Sequence, residues 1–295
     1  MTGAPPGCSC GGGPREPYSP PGPKLLYLCH DDLESLGVSM IDVVDAVDAG
    51  CRARGEGSVE MPPKLTLHGA GGAFSQVMPA ALPAAGGLGA KWVTLYPQNA
   101  ARGLPVTNGL LVLSDPETGL PSAVMDAGAL TAWRTGAGVG VAARYLARPD
   151  TDRAGVLGCG VQARASVRAL SAVLPGLRAI QCCDAVPAAA ASFVAELGAE
   201  LPDLEFAVCA APADVPRGAG VVVSAITMDA TVRPPLGPRL LEPGALAVAL
   251  DYDAAWSAAA MAECDRFFCD DTPGVLATRA SACSVSTSGW RSRTS

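Results

Sequence analysis

The chain has 295 residues, 49% of them hydrophobic and 17% charged, with a formal net charge of −7. It is long enough for two domains with sizeable cores and too apolar to be a disordered chain. The acidic balance repels phosphate backbones and argues against a nucleic-acid partner, although local backbone N–H groups could still hold a dinucleotide. No apolar run reaches about 18 residues, so no membrane span is expected.

Residues 1–24 lack a basic start and an apolar core, so a signal peptide is not expected there, and their Pro and Gly content reads as a disordered leader. Eleven cysteines are scattered without CxxC spacing, and the only histidines are His30 and His68, so no metal site is expected. Cys8 and Cys10 read better as free thiols in a flexible leader than as a chelate. Most of the other cysteines lie in apolar runs, as reduced core thiols of a cytoplasmic protein do.

A first domain is expected over 25–128. Met40 to Ala49 carries apolar residues at helical spacing with acids between them. Strand-like runs follow at Lys64 to His68, Ala90 to Tyr96 and Asn108 to Ser114. The last runs into Asp115-Pro116-Glu117-Thr118-Gly119, whose residue types make a turn, and Pro121 to Asp126 returns from it. Strands so close together, without helices between them, suggest an antiparallel or mixed sheet.

A second domain is expected over 129–272. It opens on a long helix from Ala129 to Ala147, stopped by Pro149. The helix is rich in small residues, which allow close packing and lower its own propensity. From Arg153 the pattern becomes strand, glycine turn, helix, strand, with further apolar strands at Leu204 to Val208, Gly220 to Ser224 and Ala245 to Leu250. Such alternation predicts a parallel sheet covered on both faces. The fold class is therefore α/β: a Rossmann-type parallel-sheet domain beside a mixed α+β domain.

Gly158-Cys159-Gly160-Val161-Gln162-Ala163 follows one predicted strand and opens a predicted helix. In that setting Gly158 makes the tight turn, Gly160 lets a pyrophosphate approach the backbone, and Ala163 allows close helix–strand contact. Asp184 ends the next strand, where a carboxylate binds a ribose hydroxyl. No basic residue directly follows it, which favours NAD over NADP. Ser224, Ala225 and Thr227 lie at the carboxyl edge of a later strand, where they either contact the cofactor or cap a loop. Lys91 inside an apolar run is either functional or snorkelling at a strand edge, and Arg134 is either functional or a surface ion pair. Asp251 and Asp253 follow the last strand. A carboxylate there can act as a general base, and Asp253 equally suits a helix N-cap.

The runs Lys91-Trp92-Val93, Pro97-Gln98-Asn99, Gly103-Leu104-Pro105, Asp115 to Gly119, Pro121 to Asp126, Leu130 to Thr135 and Gly158 to Ala163, with Pro62-Pro63-Lys64 and His68, resemble the ornithine cyclodeaminase/mu-crystallin family over roughly residues 25–272. The resemblance implies a substrate-binding and dimerisation domain, a Rossmann domain, a homodimer, and NAD(P)-dependent chemistry at the α-carbon of an amino acid or imine. It implies that Lys64, Lys91 and Arg134 bind the substrate carboxylate and that Asp251 is the base, with Asp253 as the alternative. It places Thr135, Gly158, Gly160, Val161, Gln162, Ala163, Asp184, Ser224, Ala225 and Thr227 at the cofactor. The implied reaction oxidises an L-amino acid to an imine, closes a ring with loss of ammonia, and returns the hydride. Imine reduction and non-catalytic dinucleotide binding are the alternatives. Residues 273–295, rich in Ser, Thr and Arg, depart from the family pattern. They are expected to be disordered, leaving part of the pocket and dimer surface incomplete.

Overall fold

The computed structural model describes residues 24–227, 235–252, 254–272 and 275–276. The expected leader up to residue 23 and all but two residues of the expected tail lie outside the described residues, as do Cys8, Cys10 and Asp253. Two sheets organise the rest, and the fold is α/β.

The first sheet has six strands in the order β1-β6-β5-β4-β3-β2, formed by β1 (Leu26–Leu28), β2 (Leu65–His68), β3 (Phe74–Leu82), β4 (Gly87–Leu95), β5 (Thr107–Ser114) and β6 (Pro121–Asp126). It is mixed: β1 runs parallel to β6 and every other pairing is antiparallel. The Asp115 turn joins β5 to β6 as its residue chemistry predicts. Asp115 Oδ1 accepts from the N–H groups of Glu117 and Thr118, and Gly119 closes the turn at φ 72°. The sequence pattern gives no strand at β3, because Pro79 interrupts it. Pro79 is tolerated because Ala81, two residues on, turns its backbone groups toward Glu60 and away from β4. The donor that proline lacks therefore falls on the weakly paired side.

One face of this sheet packs on helices. Leu28, Leu111, Leu113, Ala123 and Met125 surround Leu33 of α1 (His30–Ser35), together with Leu130 and Trp133 of α3 (Gly128–Leu146). By the two-residue alternation of a strand, the opposite face carries Tyr27, Trp92, Leu110 and Val112, all exposed. Helix α2 (Met40–Gly55) starts at a capping box between Ser39 and Asp42 and ends on Arg52 and Arg54, which suit its dipole.

The second sheet is parallel throughout, in the order β11-β10-β7-β8-β9. Its strands are β7 (Arg153–Leu157), β8 (Ala179–Cys183), β9 (Glu205–Val208), β10 (Val221–Ser224) and β11 (Leu246–Ala249). Helices α4 (Val161–Val173) and α5 (Pro187–Glu200) cover one face around buried Val156, Leu170, Ile180 and Phe193. Leu157, Val222, Leu236 and Trp256 form a core on the other. Helix α3 joins the two halves, touching β5 of the first sheet, β11 of the second, and α4 along its length. Asp126 caps its start by accepting from Gly128 and Ala129 N–H.

The described cysteines are all free, and Cys159, Cys182 and Cys183 are buried as expected. Cys29, Cys51, Cys264 and Cys269 are exposed, so the core reading of the apolar-run thiols holds only for the parallel sheet.

Candidate functional site

The turn after β7 is built for glycine at its first position. Gly158 has φ 87°, and a Cβ there would lie 2.6 Å from Ala225 O. Gly160 differs: a Cβ on it would meet nothing within 4 Å, so open space lies against the start of α4. This 13-residue helix points its first N–H groups toward that space, which suits an anion. Val161 is exposed beside it, Ala163 is buried against the sheet, and Gln162 Oε1 is buried with no hydrogen-bond partner among the described residues.

Asp184 follows β8 and fixes the turn. Its Oδ2 accepts from Cys159 N at 2.7 Å and its Oδ1 from Val186 N at 2.8 Å. Each of its oxygens keeps a further lone pair able to accept another hydrogen bond. Ala225 closes over the glycine turn, donating its N–H to Leu157 O. Ser224 is buried and donates to Asp251, while Thr227 is exposed at the rim. The open space at Gly160, the orphaned Gln162 oxygen and the Asp184 carboxylate together fit a nicotinamide dinucleotide.

The expected cations come from three elements. Lys91 lies on the helix-facing side of β4, and its Nζ donates to Thr131 Oγ1 on α3 at 3.2 Å. Burial pushes its pKa down to about 8, with help from the positive charges of Arg134 and Lys64. Arg134 stands one turn beyond Thr131 on the same helix face. It keeps solvent-accessible surface but sits in a crevice, and desolvation lowers its pKa while Asp270 and Tyr252 partly offset the effect. Among the described residues it forms no ion pair, although Asp270 is near enough to act on its charge. Lys64 precedes β2, and its Nζ donates to Tyr252 Oη at 2.9 Å. Thr135 turns its hydroxyl to Thr131 O at 2.7 Å, within its own helix. Lys64, Lys91 and Arg134 thus share one electrostatic neighbourhood.

Asp251, the expected base, is bonded on both carboxylate oxygens. It lies just past β11, as predicted, but is only 2% exposed. Its Oδ1 accepts from Ser224 Oγ at 2.9 Å and its Oδ2 from Ile226 N at 3.0 Å. A carboxylate held in this way fastens a loop and is poorly placed to take a proton from a substrate. Sequence reasoning passed over Tyr252, which reaches the cation group from the next position. The available signal was an aromatic residue between two acids at the carboxyl end of a parallel strand.

A parallel five-stranded sheet with a glycine turn, beside a mixed sheet near which three cations gather, defines a protein of the dinucleotide-binding fold class. The chain belongs to the Ornithine cyclodeaminase/mu-crystallin family, which it matches over residues 25–258. It is 43% identical over 150 residues to an alanine dehydrogenase of Archaeoglobus fulgidus, covering 51% of this chain and 45% of that one. It resembles the structure of a Thermococcus litoralis Δ1-pyrroline-2-carboxylate reductase in complex with NADH and L-proline, with a TM-score of 0.74 and 29% identity over 80% of this chain and 73% of the other. An archaeal alanine dehydrogenase dimer with bound NAD gives a TM-score of 0.69 and 34% identity, over 76% and 66% of the two chains. The chain spans about half the length of the curated relatives it matches first.

Proposed function

We propose that this protein is an NAD-dependent oxidoreductase acting at the α-carbon of an α-amino or α-imino acid. The observation that carries the reading is the convergence of Lys64, Lys91 and Arg134 beside the edge of a dinucleotide-type sheet. An α-carboxylate is the anion that suits them: Arg134 offers a planar fork, and Lys91 a single ammonium steered by Thr131. Held from two sides, the carboxylate fixes which face of the α-carbon is presented, and this orientation is a large part of catalysis.

Gly158, Gly160, Val161, Gln162 and Ala163 would hold the pyrophosphate, Asp184 a ribose, and Thr135, Ser224, Ala225 and Thr227 the nicotinamide end. Ala185 and Val186 after Asp184 bring no cation for a 2′-phosphate, so NAD is favoured over NADP. When bound, the nicotinamide accepts or supplies the hydride at the α-carbon. The chain's own residues orient that carbon and move the proton on its nitrogen. We assign Asp251 the task of fastening the loop and give the proton to Asp253, the other member of the sequence pair, which lies outside the described residues.

Likeness to a pyrroline-2-carboxylate reductase supports imine reduction, and likeness to alanine dehydrogenases supports the reverse oxidation. Cyclodeamination is the second reading, favoured by the family match. It uses the same clamp and adds attack of a distal substrate amine on the imine, with loss of ammonia. We assign 25–128 to substrate binding and dimerisation and 129–272 to the dinucleotide. A homodimer is supported by the exposed apolar face around Trp92 and by the dimeric likeness. No described helix is long and apolar enough to cross a membrane. The free described cysteines support a reducing compartment, the cytoplasm.

The test is a panel of assays on purified protein. NADH oxidation would be followed with five- and six-membered cyclic α-imino acids, and NAD reduction with L-amino acids. Mass spectrometry would look for proline from ornithine and pipecolate from lysine. Turnover of a cyclic imine is expected. NADH binding without turnover of any of these compounds would instead indicate a non-catalytic dinucleotide-binding protein.

A further inference from the structure

Tyr252 has a left-handed backbone, φ 56°, shared among described non-glycine residues only with Arg239. An aromatic residue adopts that conformation only where its surroundings impose it. Here the preceding residue imposes it. Asp251 is fastened through both carboxylate oxygens to Ser224 and Ile226, and its carbonyl accepts from Ala254 N at 3.1 Å, closing a tight turn around Tyr252. The turn throws the phenol across the crevice from the parallel sheet to the mixed one. There Oη accepts from Lys64 Nζ at 2.9 Å, and the ammonium sits 5.7 Å from the ring centroid. The Tyr252 side chain is also near enough to Arg134 to act on its charge.

The phenol oxygen can accept from Lys64 and donate its own proton at the same time. Among the described residues that proton has no acceptor. An anion drawn in by Lys64, Lys91 and Arg134 would supply one. Resting on the carboxylate reading of those cations, we propose that Tyr252 is a further substrate-binding residue. Its O–H donates to the α-carboxylate while Lys64 stays on the phenol oxygen, and Asp251 is the positioning residue that aims it. The clasp closes the crevice from the parallel-sheet side, so binding of the carboxylate draws the two sheets together.

The test uses L-proline and pyrrole-2-carboxylate as probes, titrated calorimetrically into the NADH-loaded protein. Tyr252→Phe keeps the ring and removes the hydroxyl together with its bond from Lys64. It should weaken probe binding about tenfold, the loss of one hydrogen bond to a charged group, while NADH affinity and melting temperature stay within error. Asp251→Asn should weaken probe binding as well, and adding Tyr252→Phe to it should cost less than Tyr252→Phe costs alone. Arg134→Ala separates the two levels of inference. If it weakens probe binding and Tyr252→Phe does not, the tyrosine assignment is overturned and the carboxylate site stands. If neither substitution matters, or the wild type binds neither probe, the carboxylate reading falls and takes the inference with it. Loss in Tyr252→Ala with full binding in Tyr252→Phe would make the ring, not the hydroxyl, the working part and would also overturn the proposal.

Discussion

The ammonium of Lys91 on β4 donates to the Thr131 hydroxyl on α3 at 3.2 Å, one helical turn ahead of Arg134. This single bond aims a sheet-borne lysine along the helix that carries the arginine, and it brings two like charges into one crevice. Burial, then Arg134 and Lys64, lower the Lys91 pKa to about 8. The charged form therefore disappears from the empty site as pH rises through about 8, and carboxylate binding should weaken with it. A bound carboxylate favours the ammonium, so binding near pH 8 to 9 should take up a proton. Calorimetry in two buffers of different ionisation enthalpy measures that uptake. Lys91→Arg should abolish it, and an affinity that stays flat from pH 7 to 10 would contradict the role of Lys91. The same shift bears on stability. The folded pKa lies below the unfolded value of 10.5, so the contribution of Lys91 to stability is fully present above 10.5 and is lost as pH falls through about 8.

Gly158 and Gly160 should separate on substitution by alanine. At Gly158 the backbone is left-handed and the new Cβ would press on Ala225 O, so Gly158→Ala should lose roughly 1–3 kcal/mol of stability. At Gly160 the space is open, so Gly160→Ala should fold with an unchanged melting temperature. It should nonetheless weaken NADH binding at least tenfold, because the methyl occupies the approach to the start of α4. Thermal melts and NADH fluorescence titrations check both arms. A Gly160→Ala protein that binds NADH normally would show that the dinucleotide does not pass there.

Much of this site was legible in the sequence because parallel strands announce themselves. The runs at β7, β8 and β10 are largely apolar, and the residues just past their ends lie at the carboxyl edge of the sheet. That fixed Gly158 and Asp184 from order alone. The first sheet was harder to read. β3 carries a proline whose tolerance depends on which side pairs with β4, a fact of register and not of composition. The choice between the two acids was hard to read for a similar reason. Position after β11 marks Asp251 and Asp253 alike as crevice residues, and only the bonds from Ser224 and Ile226 reveal that the first of them is turned inward.

That inward turn separates the two acids by experiment. In Asp251→Asn the amide would present a donor to Ser224 Oγ or to Ile226 N, where the native oxygens accept. Leaving a buried donor unmatched costs about 1–3 kcal/mol, so the melting temperature should fall. Turnover should drop only through weaker substrate binding. Asp253→Asn should leave substrate and NADH affinity near wild type and lower kcat at least a hundredfold, in the range for loss of a proton-transfer group. Melting curves and steady-state kinetics on both variants decide the matter. A stable Asp251→Asn enzyme with normal KM and abolished kcat would return the base to Asp251.

The outer face of the mixed sheet offers the last test. Tyr27, Trp92, Leu110 and Val112 line one side of neighbouring strands, and all are exposed in the single chain. A contiguous apolar sheet face of this kind is rare on monomers and suits an isologous contact with a second copy. Trp92 is at the centre of the patch and on the opposite side of β4 from Lys91, so a charge placed there should not touch the cation group. Trp92→Glu is expected to convert the dimer to monomer in light scattering at micromolar concentration. NADH affinity should persist, because the glycine turn belongs to the other sheet. A Trp92→Glu protein that stays dimeric would move the interface elsewhere, and a monomeric wild type would remove it altogether.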